Sequence, residues 1–198
     1  FSPNVNCTFM MHIGAKNVLI TNPRDMPGFL KELKKHQFTL FTGVNTLFNA
    51  LLNERWFTDS PPKHLVASAA GGMALHESVA TLWREVTGTP IVEGYGLTES
   101  SPVLTFNPLG GLGKDGSIGI PVPSTDIDCV DENGQSVQAG ESGELIAKGP
   151  QIMQGYWQRP EETRDSLREG WLHTGDIATM DSDGYFTIVD RKKDMILV

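Results

Sequence analysis

The stretch Thr-Pro-Ile-Val-Glu-Gly-Tyr-Gly-Leu-Thr-Glu-Ser-Ser, residues 89–101, joins a short β-like run to a glycine-rich loop. The glycines on either side of Tyr95 let a backbone approach a ligand closely and adopt positive φ. Tyr95 can present its ring to a flat ligand, and Thr98 and Glu99 offer the hard oxygens that Mg²⁺ prefers. At a strand end in an α/β sheet, this combination predicts a nucleotide site. A tight turn whose tyrosine packs on the core explains the same residues equally well.

Strand-like and helix-like segments alternate on the amino-terminal side of this stretch. In chain order they are strand 17–20, helix 27–36, strand 38–41, helix 45–52, strand 65–69 and helix 75–86. Asp25 is predicted to cap the first of these helices. Four apolar residues of the third helix are predicted to face inward: Val79, Leu82, Trp83 and Val86. Such alternation predicts an α/β fold with a parallel sheet.

The pattern changes to short β runs after about residue 115. The predicted strands are 127–130, 144–148, 177–180 and 185–189, with one helix at 161–168. Aspartate- and glycine-containing tetrapeptides at 131–134 and 181–184 predict hairpin turns. This half is predicted to form a small β-barrel or sandwich. The Gly/Pro-rich segment 107–116 is the predicted boundary between it and the α/β part. The expected division is therefore 1–115, 116–190 and 191–198.

Composition excludes several classes of function. The 198 residues are 39% hydrophobic, an ordinary globular value, and the formal net charge of −8 disfavours a non-specific nucleic-acid binder. Only two cysteines occur, Cys7 and Cys129, far apart and without metal-ligand spacing. This usage fits a reducing compartment and argues against a disulfide scaffold or a zinc site. No apolar run approaches the ~20 residues that span a bilayer.

Two glycine or aspartate patterns have the wrong context for the sites they resemble. Residues 111–116 match a dinucleotide-binding glycine pattern, but no clear strand precedes them and no helix can open after them. The Asp-Ser-Asp-Gly turn at 181–184 resembles the start of a calcium loop. Phe186 and Lys192 occupy the positions where such a loop needs glycine and glutamate, so a hairpin is favoured.

Three further segments carry groups suited to a nucleotide. Gly71 and Gly72 follow a predicted strand and leave room for a base or head group, although close helix–strand packing explains them as well. Asp176 could accept hydrogen bonds from a ribose diol, or it could be a loop aspartate held by backbone amides. The planar guanidinium of Arg191 can donate paired hydrogen bonds to ribose or phosphate oxygens. A cluster of charged residues such as the one around Arg191 is, however, more often a solvated linker.

Taken in order, these segments are more specific than any one alone. The order is Gly-Tyr-Gly-Leu-Thr-Glu from Gly94, Gly-Glu-Leu from Gly143, Gly-Tyr-Trp from Gly155, Trp-Leu-His-Thr-Gly-Asp from Trp171 and Asp-Arg-Lys-Lys-Asp from Asp190. This series resembles the adenylate-forming superfamily of acyl-CoA synthetases, peptide-synthetase adenylation domains and beetle luciferases. Within it, the chain is similar to bacterial long-chain fatty-acid–CoA ligases along essentially its whole length.

The resemblance implies a fold and a reaction. The fold would be the second α/β subdomain of the large N-terminal domain, followed by a small β-barrel and ending at the hinge to a C-terminal lid. The reaction would use ATP, Mg²⁺, CoA and a long-chain fatty acid. The carboxylate attacks the α-phosphate to give acyl-adenylate and pyrophosphate, and the CoA thiol then displaces AMP.

The resemblance also implies residue roles. Tyr95 would stack on adenine, Thr98 would contact phosphate and Glu99 would ligate Mg²⁺, the last two as catalytic residues. Asp176, assisted by Arg191, would hold the ribose, and Lys193 would be the hinge about which the lid rotates. Five other residues would line the nucleotide and carboxylate pocket: Gly71, Gly72, Glu93, Gly94 and Gly96. Phe48 and its neighbours would line an acyl tunnel.

The chain lacks two parts that the family pattern includes, the Ser/Thr/Gly-rich phosphate loop upstream and the lid lysine downstream. It also begins with Phe1 and ends in the apolar run 195–198, so we expect an internal piece that does not turn over alone. A ligase for another carboxylic acid and a non-catalytic binding module of the same fold stay open as alternatives. A cytoplasmic location with peripheral contact to the inner membrane is expected from the substrate; the oligomeric state is not indicated.

Overall fold

The computed structural model describes residues 3–110 and 112–191. Contacts between backbone positions divide the chain into two compact units, residues 1–93 and residues 94–198. The predicted boundaries after residues 115 and 190 stay predictions. Lys193, the predicted hinge residue, lies outside the described residues.

The first unit alternates helices with parallel strands, as predicted, but it has three of the four strands that the sequence predicted. Its strands are β1 (Leu40–Gly43), β2 (Ala67–Ala70) and the first residues of β3 (Ile91–Tyr95). Its helices are a π-helix at Pro3–Phe9, α1 (Met10–His12), α2 (Met26–Lys35), α3 (Asn45–Leu52), α4 (Arg55–Thr58) and α5 (Glu77–Thr87). The predicted α/β class is confirmed.

Strand register brings two predicted site residues of the first unit to one edge. Gly43 lies opposite Ala70 in the β1–β2 pair, and Ala70 lies opposite Glu93 in the β2–β3 pair. Gly71 follows β2 directly, and its N–H donates to the Gly43 carbonyl at 3.4 Å. Because the strands are parallel, their carboxyl ends meet at the same edge, which is where ligands bind in open α/β sheets.

Most predicted elements of the first unit are found within a few residues of their expected bounds. Asp25 caps α2 as predicted, since its side chain accepts a hydrogen bond from the Gly28 N–H at 3.1 Å. The strand predicted at 17–20 is wrong: residues 15–20 have no regular structure, and Val18 and Leu19 are exposed. The apolar run there has no neighbouring strand in the described chain to pair with.

An aromatic cluster forms the core of the first unit. Phe48 is fully buried, and its ring contacts that of Trp83 edge-on with 4.8 Å between centroids. Trp83 also stacks on Phe41 and donates its indole N–H to Ser68 Oγ at 3.1 Å, so its polar atom is satisfied. Leu82, predicted to face inward on α5, is instead 43% exposed. The α5 face toward the core therefore consists of the buried Val79 and Trp83, four residues apart, and of Val86, which is partly buried and packs against the same core as predicted.

The second unit is built of antiparallel strands. After the end of β3 come β4 (Thr105–Phe106), β5 (Ile120–Pro121), β6 (Asp126–Val130), β7 (Ser142–Lys148), α6 (Pro160–Ser166), β8 (Leu167–Arg168), β9 (Trp171–Met180) and β10 (Phe186–Arg191). The main sheet has the order β10-β9-β7-β6, and β8 pairs with β9. The end of β3 pairs with β4, and β4 pairs with β5.

Closure of this sheet into the predicted β-barrel is not confirmed. Within the described residues, the ladder runs from β10 to β6 without a pairing between these two strands. An isolated bridge between Gly119 and Phe186 joins the β5 region to β10. The pairings therefore show an antiparallel sheet that one isolated bridge joins to the β5 region. The barrel stays a prediction.

Both predicted hairpin turns are confirmed, and the turn at 181–184 is a hairpin rather than a calcium loop. The Gly184 N–H donates to the Asp181 carbonyl at 3.0 Å, and Gly184 has φ of 84°. Lys114 Nζ donates to Asp181 Oδ2 at 2.5 Å and to Asp183 Oδ2 at 2.7 Å. A lysine therefore occupies the position next to these carboxylates, and it ties the segment before β5 to the β9–β10 turn.

Among residues 3–110 and 112–191, none of the helices combines the length and the apolar character that crossing a bilayer requires.

Candidate functional site

The glycine-rich loop after β3 is shaped by close packing of the protein on itself. A Cβ at Gly96 would lie 1.8 Å from the Pro102 carbonyl oxygen, and a Cβ at Gly94 would lie 2.7 Å from the Phe106 ring. Neither glycine has positive φ. The positive φ that the sequence suggested for these glycines is therefore not found, and the close contacts with neighbouring atoms explain why a side chain is excluded at both positions.

A short helical turn, Thr98–Ser100, follows this loop and fixes the two catalytic candidates. The buried Ser100 hydroxyl accepts from the Leu97 N–H at 2.9 Å and donates to the Leu97 carbonyl at 3.0 Å. This serine satisfies the backbone at the start of the turn. Thr98 is consequently presented on the exposed side, and Glu99 is partly buried.

Tyr95 and Asp176 are joined by a hydrogen bond although they are distant in sequence. The Tyr95 hydroxyl donates to Asp176 Oδ2 at 2.5 Å, and Asp176, on β9, is only 5% exposed. Burial raises the pKa of Tyr95 well above its ordinary value, and the hydrogen bond to the Asp176 carboxylate raises it further. The phenol therefore stays protonated as a donor, which fixes the ring of Tyr95 in one position.

Arg191 completes the charge balance of this carboxylate. Its Nε donates to Asp176 Oδ1 at 2.8 Å, so each carboxylate oxygen accepts one hydrogen bond from a different side chain. Asp176 is buried while the Arg191 side chain is 65% exposed. The Asp176 N–H also donates to Thr174 Oγ1 at 3.1 Å, which orients the strand at this point. A buried charge needs such partners, because an unpaired carboxylate would be strongly destabilising.

Glu99 is held by the segment before α6. The Tyr156 hydroxyl donates to Glu99 Oε1 at 2.7 Å, and the Met153 N–H donates to the Glu99 carbonyl at 2.8 Å. The hydrogen bond to Glu99 is the main reason that the pKa of Tyr156 is raised. The Gly-Tyr-Trp run was part of the sequence resemblance, but sequence reasoning gave Tyr156 no role.

Two other motifs of the resemblance contact each other on β7 and β9. His173 Nδ1 lies 3.2 Å from Glu144 Oε2, and Glu144 is buried. The Thr174 hydroxyl donates to the Leu145 carbonyl at 2.7 Å. These contacts join the Gly-Glu-Leu run to the Trp-Leu-His-Thr-Gly-Asp run and hold the strand that carries Asp176.

The predicted site residues therefore divide into groups. Tyr95, Asp176 and Arg191 form one hydrogen-bonded line, and Glu99 forms a second contact with Tyr156. The first-unit candidates are placed separately: Gly71, Gly72 and Glu93 lie at or just after the carboxyl ends of strands, and Phe48 lies inside the aromatic core. The roles of these residues stay predictions.

The donor set around Glu99 fits a magnesium ion that is shared with phosphates. Within the described part of the chain, no group of three or more histidine, cysteine, aspartate or glutamate side chains could form a protein cage for a metal. Mg²⁺ commonly binds through one or two carboxylates together with substrate phosphates. Glu99 would be one such carboxylate, and its Oε2 has no hydrogen bond within residues 3–110 and 112–191.

Comparison with known proteins adds independent support. A family model described as AMP-binding enzyme matches residues 1–157. A Yersinia pestis protein named long-chain-fatty-acid–CoA ligase is 55% identical over 198 residues, which is 100% of this chain and 35% of the relative. The chain therefore spans about a third of the length of the curated relatives it matches.

Solved structures agree with the described fold. The anthranilate CoA ligase in complex with anthranoyl-AMP superimposes with a TM-score of 0.92 at 30% identity, covering 100% of this chain and 38% of that chain. The O-succinylbenzoate coenzyme A synthetase from Bacillus subtilis, in complex with ATP and a magnesium ion, gives a TM-score of 0.77 at 30% identity, covering 87% and 36%. The resemblance to adenylate-forming enzymes is confirmed. The chain belongs to the AMP-binding enzyme family.

Proposed function

We propose that this chain is the adenine- and ribose-binding part of a long-chain fatty-acid–CoA ligase. The enzyme would join a fatty acid to ATP, release pyrophosphate, and then transfer the acyl group to CoA with release of AMP. The observation that carries the proposal is the line of hydrogen bonds from Tyr95 through Asp176 to Arg191. The relatives named as long-chain-fatty-acid–CoA ligases support the choice of substrate.

Asp176 is suited to hold a ribose diol. An ionised carboxylate has about four lone-pair sites, and Tyr95 and Arg191 occupy one on each oxygen. One acceptor site on each oxygen remains for the two vicinal hydroxyls. Arg191 balances the charge of the Asp176 carboxylate, and Tyr95, with its hydroxyl anchored on Asp176, presents its ring for stacking on adenine.

Thr98 and Glu99 would act at the phosphates. When bound, Mg²⁺ neutralises charge on the phosphate oxygens, and phosphoryl and adenylyl transfer depend mainly on such electrostatic stabilisation. Glu99 would hold the ion through its carboxylate, and the exposed Thr98 hydroxyl would donate to a phosphate oxygen. A similar protein whose solved structure contains ATP and a magnesium ion supports this assignment.

The remaining candidates belong to the same proposal. Gly71, Gly72 and Glu93 lie at the carboxyl edge of the first-unit strands, where a base or carboxylate would bind. Gly94 and Gly96 keep the backbone on either side of Tyr95 free of side chains. Lys193 is proposed as the hinge residue of a lid. Phe48 is proposed as a wall of an acyl tunnel, although its ring is fully buried among aromatic neighbours.

Pyrophosphate release by the full-length protein tests the substrate. We expect release with palmitate and CoA that exceeds release with acetate or benzoate by at least about tenfold, since each buried methylene contributes about 0.8 kcal/mol. Preference for acetate or benzoate would assign the protein to another acid. Absence of release with every acid would favour a non-catalytic binding module. The 198-residue chain alone is expected not to turn over.

Glu99→Ala tests the metal role. Removing one electrostatic stabiliser costs about 10²–10³ in rate, so we expect adenylation to fall by at least ~10²-fold. Glu161→Ala, at the start of α6, is a matched control with an acidic side chain that has no role in the proposal. Near-normal adenylation by Glu99→Ala at saturating Mg²⁺ would contradict the assignment.

The location of the protein is also proposed from its substrate. A long acyl chain partitions into lipid, so we propose a cytoplasmic enzyme that contacts the inner membrane at its periphery. Cell fractionation checks this: recovery in the soluble fraction at high salt and partly with membranes at low salt is expected. Extraction only by detergent would contradict a peripheral contact.

A further inference from the structure

We propose that Tyr156 is a positioning residue that fixes the Glu99 carboxylate for a divalent cation. This inference rests on the proposed function, in which Glu99 holds Mg²⁺. Tyr156 itself would touch neither ATP nor the metal. It would act through Glu99, by limiting the number of positions that the carboxylate can occupy before the ion and ATP bind.

The contact between the two residues has two points of attachment. The Tyr156 hydroxyl donates to Glu99 Oε1 at 2.7 Å, and the Met153 N–H, three residues earlier on the same segment, donates to the Glu99 carbonyl at 2.8 Å. One segment therefore holds both the side chain and the main chain of Glu99. A single flexible contact would leave the carboxylate free to rotate, whereas two contacts from one segment restrict it.

The tyrosine is in turn fixed by helix α6. Its backbone N–H donates to Thr163 Oγ1 at 2.9 Å, and this hydroxyl donates to the Arg159 carbonyl at 2.7 Å. Gly155 lies so close to Thr163 that a Cβ would approach the threonine methyl to 2.8 Å. The absence of a side chain at Gly155 thus lets the segment pack on α6, and the position of Tyr156 follows from that packing.

A phenol is a chemically suitable group for this task. It donates one hydrogen bond to the carboxylate without placing a positive charge beside the group that is proposed to attract a cation. A lysine or arginine in the same place would orient the carboxylate but would also compete with the cation for its charge. The second oxygen, Oε2, accepts no hydrogen bond from the described residues and stays available to a metal.

Groups that orient metal ligands have a measurable effect on the metal. Replacing such a partner lowers metal affinity by about 10–100-fold in characterised sites. Glu99 lies in a partly exposed position, where competing water weakens the effect, so the lower end of this range is expected. The maximal rate should change little, because Tyr156 does not touch the reacting groups.

The experiment is Tyr156→Phe in the full-length enzyme, which removes one hydroxyl and keeps the ring. We expect the Mg²⁺ concentration that gives half-maximal adenylation to rise about 10-fold, with kcat at saturating Mg²⁺ within about threefold of wild type. A second readout is independent of turnover: the affinity for Mn²⁺ in the presence of a non-hydrolysable ATP analogue, measured by electron paramagnetic resonance, should fall about 10-fold.

Two further variants make the outcome decisive. Tyr185→Phe also removes a phenol hydroxyl, one that donates to the Leu112 carbonyl, and should leave Mn²⁺ affinity unchanged. Glu99→Ala should weaken Mn²⁺ binding more than Tyr156→Phe. If Glu99→Ala weakens binding while Tyr156→Phe behaves like Tyr185→Phe, the inference is wrong and the proposed function stands. If Glu99→Ala leaves Mn²⁺ affinity unchanged, the metal role of Glu99 fails and the inference fails with it.

Discussion

Arg191 lies opposite Asp176 because β10 carries one extra residue between Ile188 and Asp190. Ile188 pairs with Ala178 and Asp190 pairs with Ile177, so the β-bulge falls at Val189. In an unbroken register Asp190 would lie opposite Asp176, and two carboxylates facing each other across a strand pair are destabilising. The bulge replaces that repulsion with the ion pair that the proposed ribose site needs.

Removing the Arg191 side chain should therefore impair nucleotide binding. Arg191→Ala removes the hydrogen bond from Nε to Asp176 Oδ1 and leaves the chain length of β10 unchanged. Hydrogen bonds to charged groups contribute about 1.5–3 kcal/mol, so we expect ATP affinity of the full-length enzyme to fall at least about 10-fold by calorimetry. Arg164→Ala, which removes an exposed arginine of α6, is the control. Equal ATP affinity in the two variants would show that the contact between Arg191 and Asp176 has no part in binding.

The Tyr95 ring and its hydroxyl should make separate contributions to the affinity for AMP. Tyr95→Ala removes both, and stacking of a base on an aromatic ring is worth about 1–3 kcal/mol, so AMP affinity should fall about 10–100-fold. Tyr95→Phe keeps the ring and loses the anchor on Asp176, so a smaller loss is expected. Fluorescence titration with AMP measures both. A loss in Tyr95→Phe as large as that in Tyr95→Ala would argue against stacking and for a role of the hydroxyl alone.

Local patterns predicted much of the fold. Helical spacing at 45–52 predicted α3, and the turn residues at 131–134 and 181–184 predicted two hairpins. The Asp25 cap was also predictable, because capping depends on residues within one turn. These features share one property: the residues that determine them are close in sequence.

Features that depend on distant contacts were missed. The run at 17–20 has strand-like composition, but a strand forms only where a neighbouring strand pairs with it. The composition of the run does not show whether such a strand is present. Tyr156 contacts Glu99 across 57 positions, and the bulge at Val189 depends on the register between two strands. No local pattern reveals either contact. The Gly-Tyr-Trp run was the available signal, because a glycine beside exposed aromatic residues on a loop points to a functional position.

Phe48 should be important for stability whatever its role toward an acyl chain. Its side chain is fully buried and packs against Phe41 and Trp83, with ring-centroid distances of 5.6 and 4.8 Å. Phe48→Ala should lower the free energy of unfolding by about 3–5 kcal/mol, the usual cost for a buried phenylalanine. Urea unfolding of the 198-residue chain measures this. Phe9→Ala, at an exposed phenylalanine, is the control and should cost far less.

Lys114 should make the stability of the protein depend on pH through Asp181. Hydrogen bonding from Lys114 is the main cause that lowers the pKa of Asp181 below its ordinary value of 3.8. The same contact, followed by that with Asp183, raises the pKa of Lys114 above 10.5. A carboxylate with a depressed folded-state pKa contributes stability above its unfolded-state pKa, and that contribution is lost as pH falls through the folded value.

Thermal unfolding of Lys114→Met between pH 2 and pH 7 checks this dependence. At pH 7 the melting temperature of the variant should be slightly lower than that of the wild type, since the ion pairs of Lys114 are exposed and partly screened. The difference should persist down to about pH 4 and vanish as Asp181 becomes protonated in the folded state. Lys63→Met, which also removes one positive charge, should follow the wild type throughout. A Lys114→Met difference that stays constant from pH 7 to pH 2 would mean that the contact of the Lys114 ammonium with the Tyr185 ring, and not its ion pair with Asp181, stabilises the hairpin.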